Sequence, residues 1–193
     1  MVKIVLATSN PNKLKEINAI STYSDIVFEV ISGDFNPIEN GKNFIENASI
    51  KAKEASKITK TYCIADDSGI CIDYLNGAPG IYSARYDETP QKRIEKVLKE
   101  LKGVPKEKRG AHFNCTIVLT DGEGKILHTE EGKVFGLIDT EPKGNNGFGY
   151  DPIFFIEEYG KTMSELPEEV KNEISHRANA LKPMLKWINE NLN

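Results

Sequence analysis

Cysteine is scarce in this chain: Cys63, Cys71 and Cys115 are the only three among 193 residues. An odd count without metal-ligand spacing excludes a disulfide framework and a zinc knuckle, and it reads as reduced thiols, Cys63 and Cys115 in buried strands. Long apolar runs are missing as well. Nothing approaches the ~20 residues that span a bilayer, and the opening MVKIVLATSN turns polar too early for a secretion signal. Excess positive charge is absent: a net charge of -4 and a pI of about 5.5 weigh against a dedicated nucleic-acid surface, while leaving room for a local basic pocket. Two familiar phosphate motifs are also absent. Gly160-Lys161-Thr162 lacks the leading glycine of a Walker A loop, since Phe155 stands there, and Gly144-Asn145-Asn146-Gly147-Phe148-Gly149 has the dinucleotide spacing reversed and precedes a strand. No repeat, low-complexity tract or linker divides the chain. A single compact domain over residues 1–193, soluble and cytoplasmic, is the expectation.

What is present is an alternation of strand and helix patterns. Val2 to Ala7 is β-branched and apolar, as in a central strand covered on both faces. Asn10 then suits an N-cap and Pro11 the first position of a helix running to Ile20. Ile26–Ile31 reads as a second strand and residues 33–41 as a loop. Phe44, Ala48, Ala52 and Ala55 mark the buried stripe of a second helix. A strand ends in Ala65-Asp66-Asp67, and a separate short one is expected over residues 70–74. Residues 90–101 form a helix, Phe113–Leu119 and Ile126–Phe135 two strands around the turn Asp121–Gly124, and Ile153–Ile156 a last strand. The closing helix repeats Ala178, Leu181, Leu185, Ile188 and Leu192, with Pro183 inside it as a kink or a lost hydrogen bond. The fold expected is α/β, a mixed central β-sheet flanked by helices.

Several segments carry polar groups where packing alone does not ask for them. The turn Thr8-Ser9-Asn10-Pro11-Asn12-Lys13 pairs a helix N-terminus with side-chain donors, the makings of an anion site, or else Asn10 simply caps and Lys13 is solvated. Asp66 and Asp67 end an apolar strand, where charge is expensive. Side chains alternate along a strand, so the two acids face opposite ways and cannot share a proton. Glu46 is either the N3 partner of Asn43 in a capping box or a magnesium ligand. His176-Arg177 at a helix start offers donors to a carbonyl or phosphate, unless Ser175 caps and Arg177 pairs with Glu173. Phe148-Gly149-Tyr150-Asp151 could lay a ring on a planar base, with Asp151 accepting from a ring N–H, or bury Phe148 in the core.

Taken together, TSNPNK (8–13), FIENASIKA (44–52), ADDSGI (65–70), NGAPGIYSARY (76–86), GFGYDPIF (147–154) and EISHRANAL (173–181) resemble the inosine/xanthosine triphosphate pyrophosphatase family, in its order, from about residue 2 to 190. That resemblance implies two lobes with an active-site cleft between them. It implies Asp67 as catalytic base and magnesium ligand, Glu46 as the other acidic metal position, and Mg²⁺ as cofactor. Thr8, Ser9, Asn10, Pro11, Asn12 and Lys13 would bind the triphosphate, with Ser68 beside them and Lys171 a further substrate contact. Phe148, Gly149, Tyr150, Asp151, His176 and Arg177 would read the base. The implied substrate is a non-canonical purine nucleoside triphosphate (ITP, dITP or XTP), with no nucleic-acid or membrane partner and a homodimeric state. Two alternatives stay open: a related Maf-like pyrophosphatase acting on other nucleotides, and a nucleotide- or RNA-binding module without catalysis.

Overall fold

The computed structural model describes residues 1–192; Asn193, the last residue of the expected domain, lies outside the described residues. Seven strands, β1 (Val2–Leu6), β2 (Ile26–Val30), β3 (Cys63–Ile72), β4 (Gly110–Thr120), β5 (Ile126–Ile138), β6 (Phe154–Ile156) and β7 (Lys161–Thr162), form a mixed sheet in the order β2-β1-β3-β4-β5-β6-β7. β1 runs parallel to β2 and to β3, whereas β6 is antiparallel to β5 and β7. Among the described residues five α-helices accompany them: α1 (Pro11–Ile20), α2 (Phe44–Thr59), α3 (Pro90–Glu100), α4 (Glu168–Ile174) and α5 (His176–Leu192). No described helix is long and apolar enough to cross a membrane.

The chain divides into two compact units. The first takes residues 1–67, 115–132 and the C-terminal stretch from His176. Its core joins Ile4, Leu6 and Ile64 of the sheet to Ile17 and Ile20 of α1 and to Leu181, Leu185 and Ile188 of α5, and a second cluster sets Ala48, Ala52 and Ala55 of α2 against Val5, Cys63 and Val118. The small alanines let α2 lie close to the strands. At Gly132 of β5 an added Cβ would sit 2.3 Å from both His176 O and Ala180 N, so only glycine admits the first turn of α5 there. Pro183 does not interrupt α5. It lies on an exposed face, as does Asn179, and it lacks the N–H that any other residue at that position would offer to the helix.

The second unit takes residues 68–114 and 133–175. Ile70, Ile72, Val97, Leu101, Phe113, Ile153 and Phe154 build its core. The buried Arg109 pins this core's rim: Nε donates to Ile138 O at 2.6 Å, Nη1 to Leu101 O at 2.8 Å and Nη2 to Asp139 O at 2.7 Å. The sequence reading expected two strands around the Asp-Asp-Ser-Gly run. The structure has one, β3, continuous from Cys63 to Ile72.

Candidate functional site

The first unit gathers charge around β3. Asp66 and Asp67 point to opposite faces, as strand alternation requires, and each meets its own cations. Asp66 Oδ2 lies 2.9 Å from Lys13 Nζ and 3.1 Å from Arg177 Nη2. Arg177, only 1% exposed, also donates through Nη1 to the buried Glu16. Burial alone would raise the Asp66 pKa, but Lys13, Arg177 and Lys51 outweigh it and hold the carboxyl far below the usual range. Cys115 Sγ lies 3.9 Å from the same Oδ2, and burial together with that charge pushes its thiol up to about 12.

Asp67 behaves oppositely. Asn47 Nδ2 donates to its Oδ2 at 3.1 Å and Lys51 Nζ stands 3.6 Å from its Oδ1. Burial nevertheless dominates over Lys51, Lys13 and Asn47, and with Glu39 adding repulsion the carboxyl is raised above its ordinary 3.8. Asn47 is itself fixed, since its Oδ1 accepts from Gly41 N at 2.8 Å. Lys51 also reaches Glu39 Oε2 at 3.1 Å, so Asp67 and Glu39 share one ammonium.

The turn before α1 is laid out as expected. Thr8 Oγ1 accepts from Asn10 N at 3.1 Å, Asn10 Oδ1 caps Asn12 N at 3.0 Å, and Pro11 begins the helix. Ser9, Pro11 and Asn12 are exposed, and Thr8, Asn10 and Lys13 half-buried. Glu46 stands in the first turn of α2, one residue before the Asn47 that bonds Asp67. Its Oε2 accepts from Lys42 N at 2.8 Å and its Oε1 from Asn43 Nδ2 at 3.0 Å, while Asn43 Oδ1 caps Glu46 N at 2.9 Å. Asn43 is therefore the N-cap, while Glu46 reaches back to Lys42 N and the Asn43 side chain rather than to the Asn43 backbone N–H that would close a capping box.

In the second unit, Ser68 is half-buried on β3. Asp151 Oδ2, expected to meet a base, accepts from Lys171 Nζ at 2.6 Å and from Phe148 N at 2.9 Å. The Lys171 ammonium stands 4.8 Å from the Phe148 ring centroid, a cation–π contact. Gly147 completes the turn at φ 76°, with no room for a Cβ, which would lie 2.1 Å from Asp151 Oδ2. Phe148 is half-exposed with Gly149, whereas Tyr150 is buried and its hydroxyl donates to Ser83 O at 2.8 Å. His176, in the first unit, is buried at the start of α5.

Four residues of the charge cluster were not singled out from the sequence: Glu16, Glu39, Asn47 and Lys51. Asn47 and Lys51 had a legible signal, being polar and one helical turn apart beside the alanine stripe of α2. Glu39 sits in a loop without periodicity and gives none. Among the described residues no group of three or more His, Cys, Asp and Glu is placed to hold a metal ion. Asp67 and Glu39, two hard carboxylates on one lysine, do fit the pattern in which Mg²⁺ takes one or two carboxylates and completes its shell with phosphate oxygens and water.

This fold, with its capped strand–helix turn and divided acid pair, places the chain in the Ham1 family, whose model matches residues 4–187. The membership is with the first of the two pyrophosphatase types weighed above. A dITP/XTP pyrophosphatase of Listeria innocua is 46% identical over 198 residues, covering 98% of this chain and 96% of that one. A dITP/XTP pyrophosphatase of Yersinia pseudotuberculosis is 47% identical over 196 residues, covering 98% and 100%. The solved structure of a HAM1 protein from Coxiella burnetii superposes with a TM-score of 0.88 at 40% identity, covering 98% of this chain and 100% of that one.

Proposed function

We propose that the protein hydrolyses non-canonical purine nucleoside triphosphates, dITP, XTP and ITP, to the monophosphate and pyrophosphate, and that its two units together act as one pyrophosphatase domain. The observation that carries the reading is the sorting of two adjacent carboxylates. Asp66 is locked among cations, while Asp67 is oriented by Asn47 and its carboxyl is raised by burial, which favours its taking up a proton. Asp67 accepts a proton from the water that attacks the α-phosphorus. The bond from that phosphorus to the bridging oxygen breaks, and pyrophosphate leaves with the electron pair. Thr8 to Lys13 offer N–H donors and one ammonium to the phosphate oxygens, and Lys51 balances charge beside Asp67. A divalent cation, when bound, supplies positive charge to those oxygens and acidifies water. Asp67 and Glu39 would hold it.

Phe148 supplies a stacking ring, Ser68 and Lys171 further substrate contacts, and donors suited to a 6-oxo group come from His176 at the start of α5, the Arg177 guanidinium beside it being engaged by Asp66 and Glu16. Adenine would leave such donors unpaired, at about 1–3 kcal/mol per buried group. Pyrophosphate release should therefore show ITP, dITP and XTP turned over with kcat/KM about 100-fold or more above ATP, and EDTA should abolish it. Equal kcat/KM for ITP and ATP would overturn the base reading. No pyrophosphate from any of eight nucleotides in excess magnesium would leave a binding module in its place. We propose, too, a cytoplasmic homodimer without nucleic-acid or membrane partners, in keeping with the acidic pI of about 5.5.

The assignment of Glu39 has its own test. Glu39→Gln is expected to raise the magnesium concentration for half-maximal rate at least about tenfold. Glu46→Ala should instead cost about 1 kcal/mol of stability through the lost hydrogen bonds to Lys42 N and Asn43 Nδ2 and leave the magnesium dependence unchanged. The reverse pattern in magnesium titrations would return the metal to Glu46.

A further inference from the structure

Ser83 belongs to none of the polar groups discussed for the site, yet it touches two of its segments. It lies buried in the short 3-10 turn Gly80–Arg85. Its Oγ donates to Gly80 O at 2.6 Å and accepts from Ile70 N at 2.9 Å, which fixes the hydroxyl in one orientation. Its carbonyl accepts the Tyr150 hydroxyl at 2.8 Å. The turn presses so closely on β3 that a Cβ on Gly69 would lie 2.2 Å from Gly80 O and 2.5 Å from Ser83 Oγ. One serine thus holds both the strand bearing Ser68 and the turn bearing Phe148 and Asp151, all within the second unit.

We propose that Ser83 is a positioning residue, acting through Ile70 N–H and the Tyr150 hydroxyl to set Ser68 and the Phe148–Asp151 turn in one register for base selection. Hydrophobic packing already buries Ile70 and Tyr150 in the core. Packing is tolerant of small slides, whereas hydrogen bonds are directional, so the polar link supplies register. In this reading Tyr150 supports its neighbours and does not itself touch the base. The inference rests on the proposed nucleotide reading, and its test separates the two.

Ser83→Ala and Tyr150→Phe are each expected to lower kcat/KM for ITP about tenfold, and to narrow the ITP-to-ATP ratio, since misplacing a contact by ~1 Å can cost up to about 100-fold. The double variant should be no worse than the poorer single one, because both cut the same link. Independently of activity, Ser83→Ala should speed amide hydrogen exchange at Phe148, which is far along the chain from Ser83 and whose N–H bonds to the Asp151 side chain in the same turn. Tyr150→Phe removes a single oxygen and keeps the test open if Ser83→Ala fails to fold. Unchanged selectivity with only a lower Tm, losses that multiply, or unaltered Phe148 exchange would overturn the proposal. A wild-type protein inactive on ITP would overturn the nucleotide reading while the exchange experiment still decided the link.

Discussion

Asp67→Asn is expected to lower kcat for ITP about 1,000-fold, within the range that a lost general base costs, and to leave Tm unchanged or higher. The second half follows from the same environment as the first. Burial disfavours the charged carboxylate of Asp67 and raises its pKa despite Lys51, Lys13 and Asn47. A neutral amide of the same shape relieves that cost and still accepts from Asn47. Such opposite signs in rate and stability mark a group kept ionisable for chemistry. The pH dependence carries the same signature. With a folded pKa above the unfolded one, Asp67 subtracts stability as pH rises through the folded value, while its rate contribution is lost as pH falls through it. Asp66, with its folded pKa depressed, has the reverse linkage: its contribution is present above the ordinary 3.8 and lost as pH falls below it. Rate profiles and melts across acid pH, wild type against Asp67→Asn, read both. A variant retaining a tenth of the wild-type kcat would remove Asp67 from the reaction.

Arg177→Ala should give the largest loss of stability, about 3–5 kcal/mol, the usual cost of leaving a buried charge without its partner. The guanidinium is 1% exposed and bonds both Asp66 and Glu16. Its removal takes from both Asp66 and Glu16 the guanidinium that each of them bonds. For a chain of this size that corresponds to a fall in Tm of roughly 6–20 °C. Asp66→Asn made together with Arg177→Ala should recover part of the loss, since it deletes one stranded charge. A Tm within 2 °C of wild type for Arg177→Ala, measured by calorimetry, would show that the network carries no such energy.

The α1 entry was legible from the sequence because its signals are local: Asn10 caps, Pro11 starts, and both act within four residues. The opposite facing of Asp66 and Asp67 was legible for the same kind of reason, the two-residue repeat of a strand. The continuity of β3 was not. Asp-Asp-Ser-Gly reads as a turn, yet it lies inside β3, between β1 and β4 in the sheet, and the charge of its two acids is offset by cations from far along the chain, Lys13 on α1, Lys51 on α2 and Arg177 on α5. The occupation of Asp151 by Lys171 was hidden likewise, since across a separation of 20 residues no pattern pairs them. Glu46 carries two readings because a contact at a helix start and a metal ligand ask for the same carboxylate, and no local pattern in the sequence separates them.

The parallel match of β3 to β1, Val5 beside Cys63 and Leu6 beside Ile64, has a consequence for the chemistry. Moving that strand along by a single peptide would exchange the jobs of neighbouring acids, handing Asp67 to the arginine and turning Asp66 toward Asn47. The same slip would carry Cys63 and Ile64 to each other's side of the sheet and disrupt both clusters of apolar packing. Oily side chains with no part in hydrolysis therefore act as the lock that decides which aspartate meets water.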